Sequence, residues 1–151
     1  AMYSGLTVTQ LSELELAYAP PYSSVRDPVN TVGFMAENIE AGRLKQFHRE
    51  DIDTLPRDGS AVLLDTRNRR EYDREHVTGF INIPLDELRE RMAEIEPGKP
   101  VYVMCQSGLR SYQACRILSQ HGFDCYNCAG GYRFYENVKA ELESTKAGAQ
   151  I

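Results

Sequence analysis

The sequence predicts an α/β domain with a central, mostly parallel sheet and helices on both faces. Two observations carry this reading. Short apolar runs alternate with helix-like segments across short connections. The runs are also continuously apolar rather than alternating, as strands covered on both faces should be.

Ala61-Val62-Leu63-Leu64-Asp65 is the first strand, and Asn68 to Arg74 the polar helix after it. Phe80-Ile81-Asn82-Ile83 is the second strand, stopped by Pro84. Asp86 to Ile95 reads as a helix closed by Pro97-Gly98, and Val101-Tyr102-Val103-Met104 as the third strand. A helix from Leu109 to Gln120 ends at His121-Gly122, before a fourth strand, Asp124-Cys125-Tyr126-Asn127. The last helix is Tyr132 to Leu142, leaving residues 143–151 as a tail with little to bury, expected to fray.

Residues 1–44 differ in texture. Leu11-Ser12-Glu13-Leu14-Glu15-Leu16 leads to Pro20-Pro21, a pair that forbids a continuous helix and holds Tyr18 to Tyr22 extended. Asp27 is positioned to cap a helix with Pro28 at its first turn, and Gly42 to end it. The segment has too few apolar residues for a core of its own and should pack against another surface. The organisation is therefore residues 1–44, a domain over 45–142, and the tail.

Composition narrows the function classes. The chain has 151 residues, 42% hydrophobic and 26% charged, which fits one domain with an appendage and excludes disorder throughout. No run reaches the ~18 apolar residues of a membrane helix, and the N-terminus lacks the profile of a secretory signal. Ala1 before Met2 reads as a cloning remnant. A net charge of −5 argues against nucleic acid as a partner but leaves room for an anionic substrate held by backbone amides and an arginine. Cys105, Cys115, Cys125 and Cys128, in a chain without an export signal, read as reduced thiols in the cytoplasm.

The chemistry concentrates in Cys105-Gln106-Ser107-Gly108-Leu109-Arg110-Ser111. A buried strand delivers Cys105 at its C-terminal end, where open α/β sheets bind ligands. A glycine-containing turn and a helix start follow. Loop amides, the helix dipole and Arg110 all favour thiolate over thiol, which lowers the Cys105 pKa. Such a ring of donors suits a terminal persulfide sulfur or an oxyanion. The spacing is Cys-x4-Arg, with Ser111 where a phosphatase loop, one residue longer, would place its arginine. A single sulfur fits the smaller loop, so sulfur transfer is favoured. A phosphatase or arsenate reductase and a noncatalytic docking module are the alternatives.

The other cysteines read as packing. Cys115 shares helical spacing with Ala114 and Leu118. Cys125 and Cys128 form Cys-x-x-Cys, yet no second pair exists to complete a zinc site, and Cys125 lies in a strand rather than opening a helix. No metal is expected.

Residues 45–142 resemble a rhodanese-homology domain. The matching pieces are Leu63-Leu64-Asp65-Thr66-Arg67, Glu71-Tyr72, His76-Val77-Thr78-Gly79-Phe80-Ile81-Asn82-Ile83-Pro84, the 105–111 loop, and Gly130-Gly131-Tyr132-Arg133-Phe134-Tyr135. The resemblance implies that Cys105 carries sulfane sulfur as a persulfide between sulfur donors and thiol acceptors. It implies that Arg110 orients the donor, and that the amides of Gln106, Ser107, Gly108, Leu109 and Arg110 stabilise the sulfur. Gln106 stands where many relatives have arginine, which disfavours thiosulfate, and Tyr135 where tryptophan is usual. Asp65 and Arg67 read as a helix cap and an internal ion pair supporting the loop. His76 reads as a structural hydrogen-bonding group, since a persulfide needs no base to leave a thiolate.

Leu16 to Ser23 together with Asp27-Pro28-Val29-Asn30 resembles the end of the dimerisation domain of coenzyme A-disulfide reductase flavoproteins, some of which carry a C-terminal rhodanese domain. The resemblance implies a parent homodimer in which Tyr18 reaches the partner subunit's flavin site. FAD, NAD(P)H and coenzyme A are then expected in the parent. No Gly-x-Gly-x-x-Gly fingerprint occurs in this chain, so none is expected to bind here.

Overall fold

The computed structural model describes residues 4–16, 21–22 and 27–148. They fall into two units divided between Leu44 and Lys45.

The first unit pairs two helices, α1 (Val8–Ser12) and α2 (Pro28–Glu40). Asp27 accepts the Val29 N–H at 2.8 Å and Pro28 opens the first turn, so α2 begins where its cap residues dictate. The Asn30 side-chain amide donates to the carbonyls of Leu11 at 3.1 Å and Leu14 at 2.9 Å, tying α2 to the chain end of α1. The expected extended segment lies largely outside the described residues, and Tyr18 lies wholly outside them.

The second unit is a five-stranded, all-parallel sheet in the order β1-β5-β4-β2-β3. Its strands are β1 (Lys45–Phe47), β2 (Val62–Asp65), β3 (Ile81–Asn82), β4 (Val101–Met104) and β5 (Cys125–Cys128). Four strands are expected from the sequence; β1 is the fifth. It has only three residues, of which Phe47 alone is buried, so its own sequence carries no strand signal. Pairing with β5, Lys45 opposite Tyr126 and Phe47 opposite Cys128, defines it.

The sheet separates two apolar layers. Leu64, Val101, Val103 and Cys125 face Ala114, Cys115 and Leu118 of α4 (Leu109–Gln120). Leu63, Met104 and Cys128 pack on the other side with Phe47, Ile52, Phe80 and Tyr132. Each fully buried Leu or Val contributes about 1.5–3 kcal/mol by leaving water, so the central strands are fixed by their own composition.

Two helices differ from expectation. Residues 86–95 are not one α-helix but two 3-10 turns, Leu85–Glu87 and Met92–Glu94. A 3-10 turn eclipses residues three apart, and Leu85 with Leu88, and Met92 with Ile95, are the pairs that pack into the same core. At the other end α5 runs from Gly131 to Gly148, so residues 143–148 continue the helix instead of fraying. Ala, Glu, Leu and Lys sustain helix without burial, and the Ser144 and Thr145 hydroxyls donate back to the Glu141 carbonyl. No helix among the described residues is long and apolar enough to cross a membrane.

Candidate active site

β4 is the middle strand of the sheet, and Cys105 follows its last residue. Gly108 then turns the chain at φ 103°, a left-handed conformation that a side chain resists, and α4 starts at Leu109. This turn brings the Gly108 N–H to 3.1 Å from Cys105 Sγ. The Ser111 hydroxyl, fully buried in the first turn of α4, donates to the same sulfur at 3.3 Å and to the Gly108 carbonyl at 3.2 Å. Cys105 itself is 0% exposed, with its sulfur closed beneath the loop. Sequence reasoning assigns five loop amides to the sulfur; the donors found within bonding distance are one amide and the Ser111 hydroxyl.

The loop carbonyls face the other way. Tyr132 N–H donates to the Cys105 carbonyl at 2.8 Å and Arg133 N–H to the Gln106 carbonyl at 3.1 Å, so the first turn of α5 anchors the loop from outside. This requires Gly131: a Cβ there would stand 2.5 Å from the Cys105 oxygen and 2.8 Å from Ser107 N, at φ 63°. Glycine is the residue that permits so close a backbone approach. Gly131 and the amides it positions are functional elements that sequence reasoning missed as such, although the Gly130-Gly131 doublet directly after a strand is a visible signal.

A buried ion pair lies under the loop. Arg67 and Asp65 are both 0% exposed; Arg67 Nη2 donates to Asp65 Oδ2 at 2.7 Å and Nε at 2.9 Å. Arg67 also donates to the Glu75 carbonyl at 2.9 Å, lies 3.9 Å from the Tyr132 ring centroid and reaches Gln106 Oε1 at 3.5 Å. Every contact helps offset the cost of burying the charge. The cap half of the reading is corrected: Asn68 caps the helix α3 (Arg69–Arg74), with Glu71 returning a bond to the Asn68 N–H. A short carboxamide directly before the helix reaches its N–H groups, whereas the Asp65 carboxylate is held by Arg67.

Arg110 is not free to point into the loop. Its two terminal nitrogens donate to the two oxygens of Glu71 at 2.7 and 2.8 Å. Glu71 is held below the usual carboxylate range, first by this pairing, and Arg110 is raised by the same bonds. Glu71 is a second missed residue; the Asn68-x-x-Glu71 capping box puts it on the first turn of α3 but cannot reveal its partner across the site.

The remaining cysteines are packing groups. Cys125 joins the α4-side layer and Cys128 the opposite one, so the Cys-x-x-Cys sulfurs lie on different sheet faces. Burial pushes the Cys128 thiol up to about 12. A hydrogen bond with Cys125, and then burial, raise Cys115. His76 stacks on Tyr72 at 3.9 Å with Nδ1 3.0 Å from the Tyr72 carbonyl, and Tyr135 packs beside Tyr132. No metal-binding cluster occurs among the described residues. Ser107 and Leu109 are exposed at the rim.

A family described as Rhodanese-like domain matches residues 48–137. The crystal structure of reduced Bacillus anthracis CoADR-RHD is 43% identical with a TM-score of 0.87, covering 93% of this chain and 25% of that one. An NAD-dependent persulfide reductase from A. fulgidus is 38% identical with a TM-score of 0.74, covering 89% of this chain and 24% of that one. Thiosulfate sulfurtransferase PspE of Escherichia coli is 42% identical over 82 residues, 53% of this chain and 79% of the relative. The chain thus spans about a quarter of each of these two solved chains, and 59% and 45% of two curated relatives from Bacillus subtilis.

Proposed function

The chain belongs to the rhodanese-like domain family, and from that premise we propose that it is a sulfurtransferase carrying sulfane sulfur on Cys105. The observation that supports this most is the placement of Cys105 Sγ, at the end of the central strand, under a Cys-x4-Arg loop with the Gly108 amide and Ser111 hydroxyl as donors.

In the first displacement the Cys105 thiolate attacks the outer sulfur of a donor persulfide. The donor S–S bond breaks, its electron pair leaves on the donor thiolate, and the outer sulfur, with its proton, becomes part of Cys105–S–SH. In the second, an acceptor thiolate attacks that outer sulfur, the new S–S bond breaks, and Cys105 leaves as thiolate. Charge stays on sulfur in both steps, so no general base is needed; the two donors at Sγ stabilise the thiolate as nucleophile and as leaving group. With Cys105 0% exposed the loop must open for any donor, and a single sulfane sulfur demands a smaller opening than a tetrahedral phosphoryl group.

In a longer parent, the domain feeds persulfide to a coenzyme A-disulfide or persulfide reductase that acts as a cytoplasmic homodimer. FAD and NAD(P)H supply the reducing electrons there. The strand-to-helix turns at Cys105–Gly108 and Ala129–Gly131 have no Gly-x-Gly-x-x-Gly spacing, so these residues do not fit a dinucleotide cofactor.

Intact mass after incubation with polysulfide, glutathione persulfide or thiosulfate tests the reading. One added sulfur atom, released by cyanide as thiocyanate and absent from Cys105→Ser, is expected. No uptake from any donor, or uptake undiminished in Cys105→Ser, overturns it. Aryl phosphate hydrolysis dependent on Cys105 would favour a phosphatase instead.

A further inference from the structure

The cations nearest the sulfur are already spent: Arg67 on Asp65 and Arg110 on Glu71. Gln106, next in the loop, is neutral and its amide oxygen reaches Arg67. A compact dianion that carries its charge next to the transferred sulfur therefore meets no uncommitted cation inside the loop.

Just outside, the surface differs. The Arg133 backbone is bonded to the Gln106 carbonyl at 3.1 Å, which fixes this residue at the rim. Its side chain is exposed and makes no ion pair among the described residues, not even with Glu136 one turn along. Two apolar side chains share the rim: Leu109 is 65% exposed and Phe134 50% exposed. They are linked through the backbone. A Cβ placed on Gly108 would stand 3.7 Å from Gly130 N, and one on Gly130 2.9 Å from the Phe134 Cβ, so these segments lie close together. An exposed cation and two exposed apolar side chains thus stand on the segments that flank and anchor the loop around Cys105. Large apolar groups left exposed beside a reactive group suit a ligand that covers them.

We propose that Arg133, Leu109 and Phe134 form an outer recognition site for the sulfur donor. The ligand class is a small organic persulfide whose carbon chain rests on Leu109 and Phe134. Its carboxylate or phosphate, several bonds from the sulfane sulfur, pairs with Arg133. Arg133 touches no reacting atom; it is a specificity residue, and the proposal rests on the sulfur-transfer reading.

The test follows Cys105 persulfidation by stopped-time intact mass across donor concentrations, for the full chain and its Arg133→Gln, Arg133→Lys and Phe134→Ala variants. Donors are glutathione persulfide, its diethyl ester, an alkyl persulfide ending in phosphate, and thiosulfate. An exposed ion pair supports a concentration effect of roughly 2- to 5-fold. Arg133→Gln is expected to raise the half-saturating concentration of the charged organic persulfides by that factor, at unchanged maximal rate, with Arg133→Lys restoring most of it. The diethyl ester should not distinguish Arg133→Gln from the unaltered chain but should still respond to Phe134→Ala, and added salt should reduce the Arg133→Gln effect on the charged donors. The relative effects on the carboxylate and phosphate donors identify the preferred anion. Equal responses of charged and esterified donors to Arg133→Gln, or no response at all, overturn the outer site while leaving sulfur transfer intact. Absence of sulfur uptake by the unaltered chain from every donor removes both readings.

Discussion

The guanidinium of Arg110 meets both carboxylate oxygens of Glu71, 39 residues earlier, at 2.7 and 2.8 Å. The pair spans the first turns of two helices, α3 and α4, and so ties the outer edge of the Cys105 loop to the strand-to-helix turn beside it. Both side chains are about a quarter to a third exposed, which makes this a bidentate but partly solvated pair.

Glu71→Gln is expected to lower stability by about 1 kcal/mol, the upper end for an exposed pair because the geometry is bidentate. The pH dependence has a definite sign. Arg110 lowers the folded-state pKa of Glu71 below its ordinary 4.5, so the unfolded chain binds more protons as pH falls through that region. The stabilisation is complete well above pH 4.5 and is lost as pH falls through the depressed folded value. Denaturant midpoints of the two proteins should converge toward low pH; a gap that stays constant would show that the pairing contributes nothing.

Arg67→Met leaves Asp65 charged and unpaired in the interior. A cost of about 3 kcal/mol or more is expected, since one partner of a buried pair has been removed. Replacing Asp65 by Asn in the same chain should recover part of it, because the uncompensated charge is gone. Urea unfolding of the double-mutant cycle measures that coupling. Additive losses would mean that the two side chains do not depend on each other.

Ser111→Ala removes a donor to Cys105 Sγ without changing the loop backbone. One hydrogen bond is worth about 1 kcal/mol, so the rate constant for persulfidation should fall roughly 5-fold. The Gly108 amide remains to hold the sulfur. Single-turnover intact mass gives the rate, and circular dichroism shows whether the fold is kept. A rate equal to that of the parent sequence would assign Ser111 to holding the Gly108 carbonyl alone.

The Cys125 and Cys128 sulfurs point to opposite faces of β5, so diamide treatment of the folded chain should form no Cys125–Cys128 disulfide. Peptide mapping after blocking free thiols checks this. Cys128, with its thiol pushed up to about 12 by burial, should resist iodoacetamide at pH 8 until the chain unfolds. Cross-linking of the pair in the native state would contradict the sheet register.

The sequence by itself determined four of the five strands and the loop that carries Cys105. Val62-Leu63-Leu64 and Val101-Tyr102-Val103-Met104 are hydrophobic at successive positions, a pattern that a strand covered on both faces imposes locally. The Cys105 to Ser111 segment is contiguous, so its spacing could be read directly. β1 escaped because its three residues become a strand only through hydrogen bonds to β5. Residues 86–95 formed 3-10 turns because half-buried Leu85 and Met92 pack with buried Leu88 and Ile95 in an i, i+3 alignment that the apolar spacing alone does not distinguish from an α-helix. Tertiary structure alone decided which charges are committed. The Arg67–Gln106 and Arg110–Glu71 bonds each join residues 39 positions apart, and Gly131 meets the Cys105 carbonyl only because α5 returns to the end of β4. Pattern along a chain reports what each segment can bury or turn; the partner that neutralises a charge is set by folding, which brings distant segments within hydrogen-bond reach.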